Sequence, residues 1–338
     1  ALAGAAQADV KAYGTLDMSF GSFESLHEKG TDSRVTAVES GAMMTSYIGF
    51  GGSEDLGGGL KAEFALESFI NADTGKASGN INGDFWSRAS WLAVGGSFGR
   101  VIVGQYDNAF FTQGWSYSAF GSSMPISPTM NFYYSDAFST SALSGNLPPW
   151  GVAGLAFDTG WSNSITYESP NLSGFTFSAQ YAPKETSTGG KDNYTLSGAY
   201  NAGPLSVMLN YARVGADNAF YLADQKVFGL GASYDFGVVK VLGQYGQAKT
   251  DIGAPEDWKL TTYELGAVVP VSEAGAVLVA YGEGKYSFMG DSFKHRVLSL
   301  GYDHKLSKRT DVYAAFKNDA ATSFEAGQTF AVGIRHNF

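Results

Sequence analysis

Histidine is the side chain best suited to acid–base catalysis near neutral pH, and this sequence contains four of them: His27, His295, His304 and His336. None of them belongs to an H-E-x-x-H metal motif, and the chain has no G-x-S-x-G nucleophile motif. The glycines at 57–59 are not followed by the Lys-Ser/Thr pair of a phosphate-binding loop. The sequence therefore predicts no catalytic residues, no metal ligands and no cofactor.

A second group of chemically distinctive residues lies in one long connector, at about 107–160. Its aromatic and acidic residues include Phe111, Trp115, Tyr117, Asp107 and Asp136. A disordered segment would contain few aromatic residues, and long connectors are usually functional or disordered. We therefore expect this connector to pack against the rest of the molecule.

The segments on either side of the connector have the alternation of β-strands. In the last ten residues, Phe330, Val332, Ile334 and Phe338 fall on one face, and small or polar residues fall on the other. Segments of about ten residues with this pattern recur from position 10 onward, which is the length that a tilted strand needs to cross a bilayer. Helical spacings of three and four residues do not appear in these segments.

Connectors of two lengths alternate between the strands. Short ones such as 96–99 and 306–309 take turns with longer polar ones such as 183–191, 214–224 and 285–292. Outer-membrane barrels have short turns at one rim, long loops at the other and an even number of strands. The count here is about sixteen, which predicts an all-β fold: a transmembrane antiparallel β-barrel wide enough for an aqueous channel.

Composition agrees with a barrel. Charged residues make up 16 % of the chain, compared with about 25 % in soluble domains. The mean hydropathy is only −0.09, as expected when lipid-facing and lumen-facing residues alternate. A soluble all-β domain would instead need a polar outer face. The absence of cysteine fits an oxidising envelope compartment, and the net charge of −10 leaves no basic stripe for nucleic acid.

The amino terminus has the composition of a secretory signal. Residues 1–8 are small and uncharged, and Ala6-Gln7-Ala8 matches an A-x-A cleavage site. We expect 1–8 to be a signal-peptide remnant, and 9–338 to form a single barrel domain. A small-residue tail remains the alternative.

Several ordered motifs resemble the trimeric porin family of Gram-negative bacteria, in particular its beta-proteobacterial branch. The motifs are Ala12-Tyr13-Gly14-Thr15-Leu16-Asp17, Gly52-Ser53-Glu54-Asp55-Leu56-Gly57, Leu66-Glu67-Ser68, Gly95-Gly96-Ser97-Phe98-Gly99-Arg100, Asn163-Ser164-Ile165-Thr166-Tyr167-Glu168, Leu306-Ser307-Lys308-Arg309-Thr310 and Gly333-Ile334-Arg335-His336-Asn337-Phe338. The resemblance implies a sixteen-stranded barrel in the bacterial outer membrane, a homotrimer, and a third loop that folds into the lumen as a constriction. It also implies that Phe338 is the signal read by the barrel-assembly machinery. The other expected partners are outer-membrane lipid and lipopolysaccharide, and small solutes.

The chain departs from this family at the constriction. Relatives commonly carry Ser-Arg-x-Gly-Phe where this chain has Tyr47 in Ser46-Tyr47-Ile48-Gly49-Phe50, and Leu-Gly-Arg-Gln where it has Gln105 in Val103-Gly104-Gln105-Tyr106. Arg88 does match a family arginine. By alternation Tyr47, Gln105, Lys61 and Glu67 should face the lumen, and the family resemblance implies the same for Arg88.

Two functions follow from these residues. The first is passive diffusion of ions and small hydrophilic solutes through a porin with weakened anion preference, because selectivity follows the charges at the narrowest point. The alternative is a partly specific channel for aromatic or carbohydrate solutes through an aromatic-lined, charge-poor eyelet. A plugged structural barrel is a third possibility, although inward Gly229, Gly231 and Gly301 favour an open bore.

Overall fold

The structure is a computed structural model that describes residues 9–27, 29–78, 84–134, 155, 158–185, 191–215, 224–251 and 255–338. The remainder, which includes the expected signal remnant at 1–8, lies outside the described residues. Within the described chain there are eighteen strands and two short helices. In chain order they are β1 (Asp9–Phe23), β2 (Val35–Ser40), β3 (Tyr47–Gly57), β4 (Leu60–Asn71), β5 (Lys76–Ser78), β6 (Ala89–Gly96), β7 (Gly99–Asp107), α1 (Ala109–Ser116), α2 (Pro128–Tyr134), β8 (Gly160–Glu168), β9 (Phe175–Ala182), β10 (Asn193–Ala202), β11 (Leu205–Val214), β12 (Asp224–Asp235), β13 (Lys240–Asp251), β14 (Trp258–Pro270), β15 (Gly275–Phe288), β16 (Asp291–Lys305), β17 (Thr310–Ala321) and β18 (Gly327–Asn337).

The strands form one antiparallel sheet that closes on itself. β18 pairs with β1 from Thr15↔Asn337 to Ser22↔Phe330. At the seam, the backbone N–H of Phe338 donates to the carbonyl oxygen of Gly14 at 3.1 Å. Closure leaves no open edge, so the backbone polar groups of the wall are paired within the barrel, as a structure in lipid requires.

At two places around the barrel, two consecutive strands together occupy a single strand position. β2 pairs with the second half of β1, and β3 pairs with its first half. In the same way, β5 and β6 pair with different parts of β4. The eighteen described strands therefore fill sixteen barrel positions, which confirms the predicted sixteen-stranded antiparallel barrel.

The outer face is apolar, as the alternation predicted. In β18, Phe330, Val332 and Ile334 are exposed, whereas Ala331 between them is fully buried. The exposed large residues of β12 and β16 alternate in the same way; they are Phe228, Leu230 and Tyr234 in β12, and Leu298, Leu300 and Tyr302 in β16. An apolar belt of this extent fits the hydrocarbon of a bilayer and not water.

The two rims of the barrel differ in the length of their connections. One of the longer loops predicted from the sequence is instead a short turn. β15 continues to Phe288 and β16 begins at Asp291, so the loop expected at 285–292 is a two-residue turn. Met289 and Gly290 both have positive φ, which the tight type I′ hairpin turn requires. Among the described residues, no helix has the length and hydrophobicity needed to cross a membrane.

The apolar core lies inside the barrel. It forms where the described part of the connection between β7 and β8, at 108–159, turns inward and packs on the strands. This connection is called the third loop below. Phe110, Phe132 and Tyr133 of the loop cluster with Val227 and Leu260 of the wall. The prediction that the third loop folds into the lumen is confirmed.

Candidate functional site

The third loop begins with a capped helix. The side-chain oxygen of Asn108 accepts hydrogen bonds from the backbone N–H groups of Phe110 and Phe111, at 2.9 and 3.0 Å, and so starts α1. The side-chain nitrogen of Asn108 donates to the carbonyl oxygens of Asp158 and Thr159, at 2.7 and 2.9 Å. One residue thus joins the start of the loop to its end.

Glycines in the wall make room for the side chains of α1. A Cβ on Gly231 would collide with the ring of Tyr117, and a Cβ on Gly229 would lie 2.9 Å from Cε1 of Phe110. The Tyr117 hydroxyl forms a hydrogen bond of 2.9 Å with Ser206 Oγ. Tyr117 is only 3 % exposed, so it attaches the loop to the wall and does not line an opening.

The same arrangement holds α2. Tyr133 lies against Gly246, and its hydroxyl forms a hydrogen bond with Thr262 Oγ1 at 3.1 Å. The ring of Phe132 lies over Gly282 and Gly284. Complete burial raises the pKa of Tyr133 to about 12, so its phenol remains neutral and able to hydrogen-bond.

The middle of the third loop is attached at both sides. Ser299 Oγ donates to the carbonyl oxygen of Ile126 at 2.6 Å, and Ser123 Oγ donates to that of Ala42 at 2.6 Å. Phe120 faces Gly301 of β16. The inner face of β11–β17 is therefore covered by the loop, and we call it the docked wall.

This arrangement corrects one argument made from the sequence. Gly229, Gly231 and Gly301 are not small in order to widen the bore; they accommodate the third loop. It also counts against the aromatic-lined eyelet, because most of the described aromatic residues of the loop are buried against the docked wall. These buried residues are Phe110, Tyr117, Phe120, Phe132 and Tyr133. The solute-specific alternative is not favoured.

An open cleft remains inside the barrel beside the third loop. It has a volume of about 720 Å³. On the loop side it is lined by Phe111 and Trp115, and Trp115 is 43 % exposed. Met44, Arg88 and Asp107 at the end of β7 also line the cleft, together with the short-turn ends of β14–β18. We call the inner face of β1–β6, which carries the groups around Arg88, the facing wall.

Arg88 is the centre of a compact cluster on the facing wall. Its guanidinium forms an ion pair with the carboxylate of Glu67. Its guanidinium carbon lies 4.2 Å from the centroid of the Tyr47 ring, the geometry of a cation–π contact. The Tyr13 hydroxyl donates to Glu67 Oε1 at 2.5 Å. Asp107, at the end of the neighbouring strand β7, adds a Coulombic attraction to Arg88.

The other predicted site residues are dispersed. Lys61 lies six residues before Glu67 on β4, roughly 20 Å away at ~3.3 Å per residue, in a separate pocket with Glu63 and Arg100. Gln105 donates from Nε2 to the carbonyl oxygen of Ser87 at 2.8 Å, so it supports the segment that carries Arg88. Asp136 lies outside the described residues.

The sequence did not predict the role of Asp17 in shaping the facing wall. Asp17 Oδ2 accepts from the backbone N–H groups of Met43 and Met44, at 2.8 and 2.6 Å, and fixes the break between β2 and β3. Both methionines line the cleft as a result. The signal in the sequence was an acidic residue, Asp17, at an inward position of β1. Its partners could not be predicted, because they lie in an irregular segment with no strand pattern.

Charged pairs line the cleft near the short-turn rim. Arg335 lies 3.2 Å from carboxylate oxygens of both Asp303 and Asp311. Taken over the described residues that line the cleft, there are three cations and four carboxylates. They are Arg88, Lys305 and Arg335, and Asp107, Glu273, Asp303 and Asp311. The described residues contain no group of three or more His, Cys, Asp or Glu side chains placed to hold a metal ion.

Known proteins share this architecture. The profile of the Gram-negative porin family matches residues 1–322. Outer membrane porin protein 32 of Delftia acidovorans is 35 % identical over 360 residues, covering 98 % of this chain and 95 % of the relative.

The chain belongs to the Gram-negative porin family.

Solved porin structures agree with the fold of this porin. An anion-selective porin from Comamonas acidovorans superimposes with a TM-score of 0.79 at 29 % identity, covering 98 % of this chain and all of that one. The trimer form of OmpT from Vibrio cholerae, at 16 % identity, covers 98 % of this chain and 99 % of its own and gives a TM-score of 0.70. This porin is therefore an integral protein of the outer membrane and a passive diffusion channel.

Proposed function

We propose that this porin conducts ions and small hydrophilic solutes of either charge, with weak ion selectivity. The observation that carries the proposal is the near balance of cations and carboxylates along the open cleft. Selectivity follows the net charge at the narrowest point. Arg88, the cation between the third loop and the facing wall, is already paired with Glu67. The similar Comamonas porin is anion-selective; here we expect that preference to be weak.

Ion selectivity is measured directly by the reversal potential. The purified porin is inserted into a planar bilayer under a tenfold KCl gradient. We expect a reversal potential near zero at high salt and a modest one at 0.1 M KCl, where the Debye length of about 10 Å leaves lumen charges less screened. A strongly anion-selective potential at both concentrations would contradict weak selectivity, and an absence of conductance would contradict the channel itself.

The proposal includes a homotrimer, for which the trimer form of the Vibrio cholerae protein provides support. Insertion of one trimer should add conductance that closes in three equal steps. Light scattering of the detergent-solubilised porin should give three times the mass of a protomer after correction for detergent. Single-step closure together with a monomer mass would contradict the trimer.

The proposal also includes the absence of catalysis. It further includes contact of the apolar belt with lipopolysaccharide and outer-membrane lipid, and recognition of Phe338 by the barrel-assembly machinery. The named relatives are porins. His295 is buried beside Asp319, and His336 contacts Thr310 Oγ1 at 2.8 Å. Neither histidine lies beside a candidate nucleophile in the cleft. A screen with esterase and protease substrates should give only background rates.

A further inference from the structure

Arg88 contributes little free positive charge to the cleft because it has partners on three strands, one of which is Asp107 at the end of β7, whose carboxylate attracts it. The Glu67 carboxylate of β4 pairs with the guanidinium, and Tyr47 of β3 lies against one face of it. The side chain of Arg88 is 22 % exposed, whereas that of Glu67 is 9 % exposed. The Arg88 guanidinium is therefore partly exposed to the cleft, while the Glu67 carboxylate that compensates its charge is more deeply buried.

Glu67 is held in this position by contacts of its own. The Tyr13 hydroxyl of β1 donates to Oε1, while Arg88 binds Oε2. The backbone N–H of Arg88 also donates to the carbonyl oxygen of Glu67 at 3.0 Å. Gly49 provides the space, since a Cβ there would lie 2.7 Å from Cγ of Glu67. Each carboxylate oxygen thus has a partner, and the side chain cannot swing away without losing both.

We propose that Glu67 is the residue that sets the ion selectivity of this porin. Its carboxylate stands on the same wall as Arg88 and cancels the charge that the arginine would otherwise present to the cleft. The proposal deepens the weak selectivity proposed above and rests on it. Removal of the Glu67 charge should expose Arg88 and turn the channel toward anions, although no cation has been added.

The experiment compares Glu67→Gln with the unmodified porin by reversal potential at 0.1 M KCl. We expect the permeability ratio of chloride to potassium to rise about fourfold, because one unit charge at about 10 Å in water changes the energies of the two ions by equal and opposite amounts. Arg88→Gln should lower the ratio by a similar factor, because it leaves the Glu67 carboxylate unpaired. The double variant should return close to the starting ratio.

Two variants on the same barrel serve as controls. Glu63→Gln removes an inward carboxylate from the same face of β4, but Arg100 there retains Glu168 at 2.7 Å; its effect should be clearly smaller. Tyr13→Phe removes the hydrogen bond to Glu67 and keeps the carboxylate, so the ratio should change little.

The possible results separate the two proposals. Only a folded barrel conducts, so the conductance of each variant reports its folding. If the unmodified porin conducts with weak selectivity and Glu67→Gln conducts with an unchanged ratio, Glu67 does not set selectivity, while the proposed function stands. Equal shifts in Glu67→Gln and Glu63→Gln would also overturn the inference, because they would reflect total lumen charge. A strongly selective unmodified porin would overturn the proposed function.

Discussion

The ring of Tyr117 lies directly against the backbone of Gly231, at a point where any side chain on residue 231 would collide with it. The contact joins the end of α1 to β12, and the Tyr117 hydroxyl extends it to Ser206 on β11. It is one of several glycine contacts by which the docked wall fixes the third loop.

Gly231→Val should displace the third loop. The added methyl groups meet a buried ring with no space to move, and overpacking of this kind typically costs about 1–3 kcal/mol. Single-channel conductance should change, and the urea midpoint of unfolding should fall. Gly198→Val is the matched control, since a Cβ at Gly198 meets nothing within 4 Å. A conductance unchanged in Gly231→Val would show that the loop position does not depend on this contact.

Asn108→Ala should loosen the start of the third loop. The substitution removes the cap of α1 and two hydrogen bonds to the end of the loop, at a cost of about 1–2 kcal/mol for the cap. We expect faster proteolytic cleavage within the third loop, measured on the folded porin. Asn108→Asp retains the acceptor oxygen and should be cleaved at an intermediate rate. Equal rates for all three proteins would contradict the role of the cap.

Tyr47→Arg should shift the reversal potential toward anions. The new cation would lie beside Arg88, and Glu67 can compensate only one of the two. Gln105→Arg should have a smaller effect, because the Gln105 side chain is directed to the backbone of Ser87. Tyr47→Phe keeps the ring beneath Arg88 and serves as the control. A larger shift from Gln105→Arg than from Tyr47→Arg would place the narrowest point elsewhere.

Asp319→Asn should strongly destabilise the barrel. Asp319 forms a buried ion pair with Lys317 and a hydrogen bond with His295, and the Lys317 ammonium also donates to Asn131 of α2 at 3.2 Å. Removal of one member of a buried ion pair costs about 3–5 kcal/mol. The readout is the free energy of unfolding in urea. Asp291→Asn, at an exposed position of β16, should change it by less than about 0.5 kcal/mol. Similar values for both variants would refute the prediction.

Phe338→Ala should impair assembly in cells more than function. The backbone of Phe338 pairs with Gly14, while its side chain is exposed. The substitution therefore leaves the seam hydrogen bonds intact. We expect less folded porin in the outer membrane of cells, and normal conductance from protein refolded in detergent. Normal amounts in cells would argue against Phe338 as an assembly signal.

The barrel could be predicted from the sequence because its pattern is local. Alternation at Val332 and Ile334 reports one lipid face and one lumen face, and it repeats in each strand. The residues that face inward on a regular strand, such as Glu67, were predicted by the same rule. Register and closure then follow from short turns.

The path of the third loop could not be predicted because it depends on matched surfaces far apart in sequence. A glycine such as Gly231 is equally compatible with an open bore and with a seat for a ring, and only its partner Tyr117 decides between them. The ion pair between Arg88 and Glu67 could not be predicted from the sequence either, since Arg88 lies just before β6, where alternation does not apply.

The docked wall divides the barrel into two halves with different freedom to change. Its glycines are constrained by the rings seated on them, so substitution there disturbs the shape of the passage. The described glycines of the facing wall hold no ring of the third loop, so polar side chains that line the cleft there can be exchanged while the loop keeps its position. Related bacteria could therefore acquire different nutrient preferences, or engineers a tailored nanopore, by changing residues on β1–β6 alone.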